Sequence, residues 1–464
     1  MTYLIKDATI ANERTLTESS LFIRNGKIER IGKDIEVAED AQVIDAKGCY
    51  LLPGVIDTHV HFRDGGDGNN SAGDFYTESR AALAGGVTSV IDMPNTSPQT
   101  TTLQALEAKE RMAAEKSAVN YGFMMGATND NIDSLLAIDP ARYAAIKLFL
   151  GSSTGNMLVN DPVVLDHLFK DSKKLIVAHC EEESVVQANL KNFKLEFQGT
   201  EKESAELHPK IRNTEACYLS TYKAISRALL YGTRFHIAHI STATELNLLS
   251  NKSLPEKRIT AEVTPNHLWF DDRDYATLGN RIKCNPAIKS NDDRLALWAA
   301  LYDGLIDTIA TDHAPHPIEK KNLPYFDAPS GIPSIQHSLQ MMLEPLFSPL
   351  SVKPSAETKP KRENDHCKET NPTDDIVATW LPLIVEKMSH NPAILFGIKD
   401  RGFIRPGYWA DLVIVRPCPQ GSSVTLDSLR YKCGWSPLEG MSFHSSIERV
   451  MVNGGLTPMP LEFK

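Results

Sequence analysis

The stretch GVIDTHVHF (54–62) is the one on which the reading of the whole chain turns. A short apolar run that breaks into a polar turn has the character of a strand buried on both faces. Within it His59 and His61 stand at i and i+2, so on an extended backbone their imidazoles share one face. Two imidazoles on one face at a strand end can grip a single metal ion. HxH pairs also arise by chance, so the pattern gains force only if other strand ends repeat it.

The same theme returns in VTSVIDMPN (87–95), NYGFMMGATND (120–130), YAAIKLFLGSS (143–153), KLIVAHCEE (174–182), RFHIAHIST (234–242), RITAEVTPNH (258–267) and IDTIATDHAPH (306–316). Helix-like segments lie between most of these runs, among them YTESRAALAGG (76–86), LQALEAKERMAAEK (103–116) and TEACYLSTYKAISRALLYG (214–232). Near-continuous apolar strands alternating with helices imply a parallel sheet, and eight of them over about 260 residues fit a TIM-like (β/α)8 barrel. A doubly wound open sheet is the alternative. The barrel is preferred because the candidate ligands all fall at the C-terminal ends of the strands, which a barrel brings together.

Both ends of the chain read differently. YLIKDATIA (3–11) and SLFIRNGKIERIG (20–32) alternate in part, with a hairpin signal at Asn25-Gly26. ADLVIVRP (410–417) and IERVMVNGG (447–455) have the same character, with turns at Pro406-Gly407 and Asn453-Gly454. The expected architecture is therefore a barrel over 54–401 and a small β-sandwich domain made from 1–53 plus 402–458. One segment, 348–375, is polar, charged and proline-bearing; it is expected to be a mobile surface loop without chemistry, and His366 and Cys367 within it are treated as incidental.

At 464 residues the chain accommodates one large and one small domain. Its net charge of −10 gives no overall attraction to nucleic acid or to anionic membrane. The start, MTYLIKDATIANERTL, has no apolar run of the signal-peptide kind, and no stretch approaches the ~20 apolar residues of a membrane span. Seven scattered cysteines without a CxxC read as free thiols in a reducing compartment, which makes the cytoplasm the expected location.

The remaining strand ends carry Lys147, His179, His239 and Asp312. Singly, each has an ordinary reading: a core histidine, a helix-capping aspartate, a lysine that snorkels to solvent. All of them at the same end of consecutive strands are improbable without a metal. Imidazoles with a carboxylate suit zinc or another borderline divalent ion. Four histidines plus an aspartate exceed one tetrahedral site, so two metals with a bridging water is the economical reading.

DTHVHFRD (57–64), DMPNT (92–96), IKLFLGSSTGNM (146–157), HPKIRNTEAC (208–217), HIAHIST (236–242), NPAIK (285–289), ATDHAPH (310–316) and IRPGYWADLVIV (404–415) together make the chain recognisable. It resembles the amidohydrolase superfamily and, within it, the dihydroorotases, over nearly its whole length. The resemblance implies that His59 and His61 hold the more buried zinc ion, with Asp312 as further ligand and general acid/base. His179 and His239 match the ligands of the second zinc; His239 is chosen over His236 because the family ligand directly precedes the xS step. Lys147 matches a lysine that many members carboxylate with CO2, so that its carbamate and a hydroxide bridge the two ions. Arg63, helped by Asn95 and His316, matches the clamp on the substrate carboxylate, and Asn285 matches a contact to the ring. The implied reaction is zinc-dependent, reversible opening of L-dihydroorotate to N-carbamoyl-L-aspartate in pyrimidine biosynthesis, with a homodimer as the common family assembly.

The chain departs from the family after HxHxR. Where Glu-Pro-Gly is usual, it has RDGGDGNNSAGDF (63–75), which puts the grip of Arg63 in question, and Asn266-His267 stands where a His-His pair is common. Two rivals remain: another cyclic amidase, such as an allantoinase or a dihydropyrimidinase (hydantoinase), and a non-catalytic scaffold of the same fold. Scaffolds of this kind lose metal ligands, whereas every expected ligand is present here.

Overall fold

The computed structural model describes residues 1–36, 41–65, 72–151, 157–348 and 372–463. The strands of residues 1–53 are β1 (Thr2–Asn12), β2 (Thr15–Arg24), β3 (Lys27–Gly32), β4 (Gln42–Asp45) and β5 (Tyr50–Pro53). The central strands are β6 (Val55–Val60), β7 (Val87–Asp92), β8 (Asn120–Phe123), β9 (Met125–Gly126), β10 (Ile146–Phe149), β11 (Ile176–His179), β12 (Phe235–Ile237), β13 (Ile259–Val263) and β14 (Thr308–Ile309). The last two are β15 (Leu412–Ser423) and β16 (Ser442–Met451).

The central strands form the expected barrel. β6, β7 and β8 pair in parallel, as do β9 through β14 in chain order. Met124 alone separates β8 from β9, and its N–H donates to the Asp92 carbonyl at 3.1 Å, so the two are halves of one strand. Counted in that way the barrel has eight parallel strands. It closes where the His61 N–H donates to the His313 carbonyl at 2.7 Å, beside a parallel bridge between Val60 and His313. Apart from Ile259 at the start of β13, the strands are buried along their entire length, which is why their sequences are apolar runs rather than alternations. Side chains of Asp74, Thr102, Asp161 and Asn213 accept backbone N–H bonds at the starts of the helices Phe75–Ala84, Leu103–Lys116, Pro162–Asp171 and Thr214–Tyr231, and so fix where each helix leaves its loop.

The strands of the two termini form one seven-stranded sheet in the order β16-β15-β5-β1-β2-β3, with β4 on β1. β5 joins the two ends of the chain by pairing antiparallel with β15. Both faces of β15 are used. Leu412 and Ile414 join a core with Ile5, Ile10, Leu21, Ile23 and Ile28, while Val413 and Val415 pack into the barrel's own core. Asp411, in the ADLVIV run, ties sheet to barrel: it accepts from buried Arg401, from Asn120 Nδ2 at 3.2 Å and from the Asn453 N–H at 2.7 Å.

Most of the expected loop at 348–375 lies outside the described residues, as does most of the GGDGNN run at 65–70. The C-terminal end of the 348–375 span begins a helix, Pro372–Val385. No helix among the described residues is long and apolar enough to cross a membrane.

Candidate metal centre and substrate mouth

The inward-facing positions of β6 are Asp57, His59 and, just beyond its end, His61. Asp57 is fully buried and accepts from the Thr311 hydroxyl at 2.6 Å and the Thr311 N–H at 3.1 Å, which fixes β6 against the strand that delivers Asp312. Burial raises its carboxyl to about 6, against the pull of those bonds.

Beside it the histidines converge. Single ligand atoms of His59, His239 and Asp312 all lie within 4.8 Å of one another. His59 Nε2 is 3.2 Å and His61 Nε2 3.0 Å from Asp312 Oδ1. His179 Nδ1 is 3.0 Å from His239 Nε2. Burial would raise the Asp312 carboxyl, but His59, His61 and His239 around it hold it well below the ordinary carboxylate range. Burial pushes His61 down to about 4 and takes His239 far down as well, so both rings are neutral and able to offer a lone pair. Three site residues, Arg63, His239 and Asp312, have positive φ (65°, 38° and 48°). Backbone in this region is unfavourable for residues with a Cβ and collects at functional sites.

Two carboxylates that the sequence reading passed over orient these rings. Glu262 Oε1 is 2.8 Å from His59 Nδ1 and also accepts the His239 N–H at 3.3 Å. Glu181 Oε2 is 2.9 Å from His179 Nε2 and 2.5 Å from Arg212 Nη1. An ionised carboxylate only accepts, so it takes the ring N–H and leaves the opposite nitrogen bare toward the cluster. Burial would raise both carboxyls; His59 and His236 beside Glu262, and Arg212 and His179 beside Glu181, hold them low instead. A signal was present in the sequence: Glu262 is a carboxylate inside a buried strand, and Glu181 shares the i, i+2 face of His179.

The structure places the other expected residues as follows. Lys147, in β10, is fully buried, and its Nζ has no hydrogen-bond partner among the described residues. Burial lowers it to about 8 while Glu262 and Asp312 act in the opposite sense. His236 is not among the clustered ligand atoms: its Nδ1 is 2.8 Å from the Thr260 hydroxyl and its Nε2 3.8 Å from Glu262 Oε2. Asn95 Oδ1 is 2.7 Å from His61 Nδ1, so Asn95 orients a ring of the cluster. Arg63 Nη2 lies 3.4 Å from His316 Nε2, and that nitrogen donates to the Ser330 carbonyl at 3.0 Å. Asn285 forms no hydrogen bond to any of these residues among those described, and its Oδ1 is buried without a partner.

The cluster fits a divalent metal on its own chemistry. It gathers imidazole nitrogens and one carboxylate in a buried space, and it leaves His239 Nδ1 and Lys147 Nζ without partners among the described residues. Buried polar atoms are rarely left so unless something else satisfies them.

The family model described as the amidohydrolase family matches residues 50–457. The chain belongs to the amidohydrolase family. This amidohydrolase is 33% identical over 451 residues to a dihydroorotase of Methanosarcina acetivorans, covering 94% of this chain and 88% of the relative. It is 28% identical over 468 residues to an L-hydantoinase of Paenarthrobacter aurescens, covering 97% and 94%. Among solved structures, an L-hydantoinase (dihydropyrimidinase) from Arthrobacter aurescens superposes with a TM-score of 0.86 at 26% identity, over 100% of this chain and 98% of that one. Family membership and these relatives support a hydrolase of the cyclic amidohydrolase group.

Proposed function

We propose that this amidohydrolase is a dihydroorotase, which interconverts L-dihydroorotate and N-carbamoyl-L-aspartate. The observation that carries the reading is Arg63 in contact with His316 at the same strand end as His59 and His61. A ring opened at the cluster would hold an attached carboxylate toward this guanidinium, whose planar fork suits bidentate binding of carboxylate. The 33% identity to a dihydroorotase points the same way.

His59, His61 and Asp312 would hold one divalent metal and His179 and His239 a second, with Lys147, once carboxylated, as a further ligand; zinc suits this donor set. Such ions supply Lewis acidity and lower the pKa of a coordinated water. The chain's own residues do the rest. Glu262 and Glu181 hold the ligand rings in one tautomer. Arg63 anchors the carboxylate, with His316 beside its guanidinium, and so fixes which ring carbonyl faces the cluster. Asp312 takes a proton from the attacking water as its oxygen bonds to the ring carbonyl carbon. It then delivers that proton to the ring nitrogen as the C–N bond breaks, and the new carboxyl group ionises. In the reverse direction the same carboxylate removes the proton from the carbamoyl nitrogen.

A hydantoinase reading draws on the 0.86 TM-score to an L-hydantoinase. The test is steady-state turnover by metal-reconstituted protein of L-dihydroorotate, hydantoin, dihydrouracil and allantoin in parallel. Dihydroorotate should be opened with the highest kcat/KM; a higher value for any other ring would overturn the assignment and leave the cluster chemistry standing.

A further inference from the structure

Two lysines lie buried behind the mouth. Lys321 is 1% exposed and Lys283 is 7% exposed. Lys321 Nζ donates to three backbone carbonyls, those of Lys283 (3.1 Å), Pro329 (2.9 Å) and Gly331 (2.9 Å). Lys283 Nζ donates to the carbonyls of Tyr325 (2.7 Å) and Ala328 (2.6 Å). Neither is ion-paired to a carboxylate among the described residues, and the carboxylates that act on Lys283, Asp327 and Glu203, do so without direct contact and against Arg212. The nearest influences on Lys321 are Lys283 and the Cys284 thiol, which burial pushes up to about 12 and so keeps neutral. Buried cations are ordinarily paired, so a lysine satisfied by carbonyls alone leaves a net positive charge inside the protein.

Its protonation follows from geometry. Burial, with the Lys283 charge beside it, pushes Lys321 down to about 7. The three carbonyl acceptors work in the opposite direction. A neutral amine has only two N–H groups and would turn its lone pair on a carbonyl oxygen.

The charge lies next to the mouth. Gly331, whose carbonyl takes the Lys321 ammonium, abuts His316: a Cβ built on it would lie 2.9 Å from His316 Cδ2 and 2.3 Å from the Ala314 carbonyl, and its φ is +144°. The carbonyl of the preceding residue, Ser330, holds His316 Nε2, the same nitrogen that faces Arg63. Burial, then Arg63 and Lys321, bring His316 down to about 2, so the ring itself adds no charge. The positive field at the mouth therefore comes from Arg63 in front and from the lysines behind.

We propose that Lys321, backed by Lys283, is a specificity determinant: its uncompensated buried charge biases the mouth toward rings that carry an anionic substituent. The proposal rests on the carboxylate-clamp reading above and deepens it. Lys321 acts through the field and touches no substrate. At the separation of a few side chains and an effective dielectric constant of ~20, one such charge changes anion affinity by about tenfold.

The test uses the metal-loaded full chain and two inhibitors of one shape, orotate (anionic) and methyl orotate (neutral). Both compete against whichever ring the wild type opens. In Lys321→Met the inhibition constant for orotate should rise about tenfold while that for methyl orotate stays level. Equal weakening of both would make Lys321 a loop pin only, and no change in either would remove it from recognition; each result overturns the proposal. Lys283→Met, which leaves the Gly331 contact in place, should show the same selective loss at smaller size, and it carries the test if Lys321→Met does not fold. A wild type that binds both inhibitors equally overturns the clamp and the proposal together. A wild type that prefers orotate, with the preference intact in both variants, overturns the proposal alone.

Discussion

The ligand cluster at the bottom of the site and the recognition groups at its mouth differ in how their side chains are held. At the bottom, His59 and His179 each have one ring nitrogen on a carboxylate that is buried to within about 1%, and those carboxylates stand on or directly beyond barrel strands. At the mouth, Arg63, Asn285 and His316 lie on loops beyond the strands, and His316 rests on the carbonyl of Ser330, whose chain neighbours Pro329 and Gly331 give their carbonyls to Lys321. On the proposed function, the bottom serves any cyclic amide and the mouth tells one ring from another. This division of labour accounts for relatives named dihydroorotase and L-hydantoinase both aligning over more than nine-tenths of the chain.

Variants can break this contrast. The largest effect is expected at the bottom: Asp312→Asn should lower kcat by about a thousandfold, the scale of a lost general acid/base, with metal content by elemental analysis largely retained. Near-normal turnover would remove Asp312 from proton transfer. At the mouth, Arg63→Met should raise KM for dihydroorotate by about a hundredfold, with a smaller change in kcat, because a charged hydrogen-bonding partner of the carboxylate is gone. An unchanged KM would take Arg63 out of the clamp. Glu262→Gln should weaken metal binding by about 10–100-fold, read by competition with a chelator, since it disturbs the tautomer of His59 and the backbone of His239 together. Unaltered metal affinity would make Glu262 a packing residue.

The smallest effect sharpens the contrast. Asn95 bonds His61, whereas the sequence resemblance assigns it to the clamp beside Arg63, so it has a claim to both regions. Asn95→Ala should cost about fivefold, the worth of one neutral hydrogen bond. If the loss shows in chelator competition, Asn95 belongs to the bottom; if it shows in KM for dihydroorotate, it belongs to the mouth.

The barrel was legible because its strands are buried on both sides and so read as apolar runs, each closing on a polar turn. The terminal strands were legible from partial alternation and hairpin turns such as Asn25-Gly26, where both residues have positive φ. Lys147, His179, His239 and Asp312 could be picked out because each interrupts or ends such a run. Glu262 interrupts a run in the same manner and was passed over, since a single strand does not show what a buried carboxylate meets. Lys283 and Lys321 were less visible still. Lysines in loop sequence are normally solvent-exposed, and only the folded loops surround these two with carbonyls.

By itself the sequence determined which residues share a strand face, because the i, i+2 relation of His59 and His61 is a local property of extended backbone. The tertiary structure alone decided that Glu262 meets His59 across 203 residues, that Asp312 reaches both His59 and His61, and that Lys321 lies one residue's reach behind His316. These contacts depend on closure of the barrel between Val60 and His313, which no local spacing encodes. Closure buries the charges in a medium of low polarity, and there the choice of partner decides what each group can do.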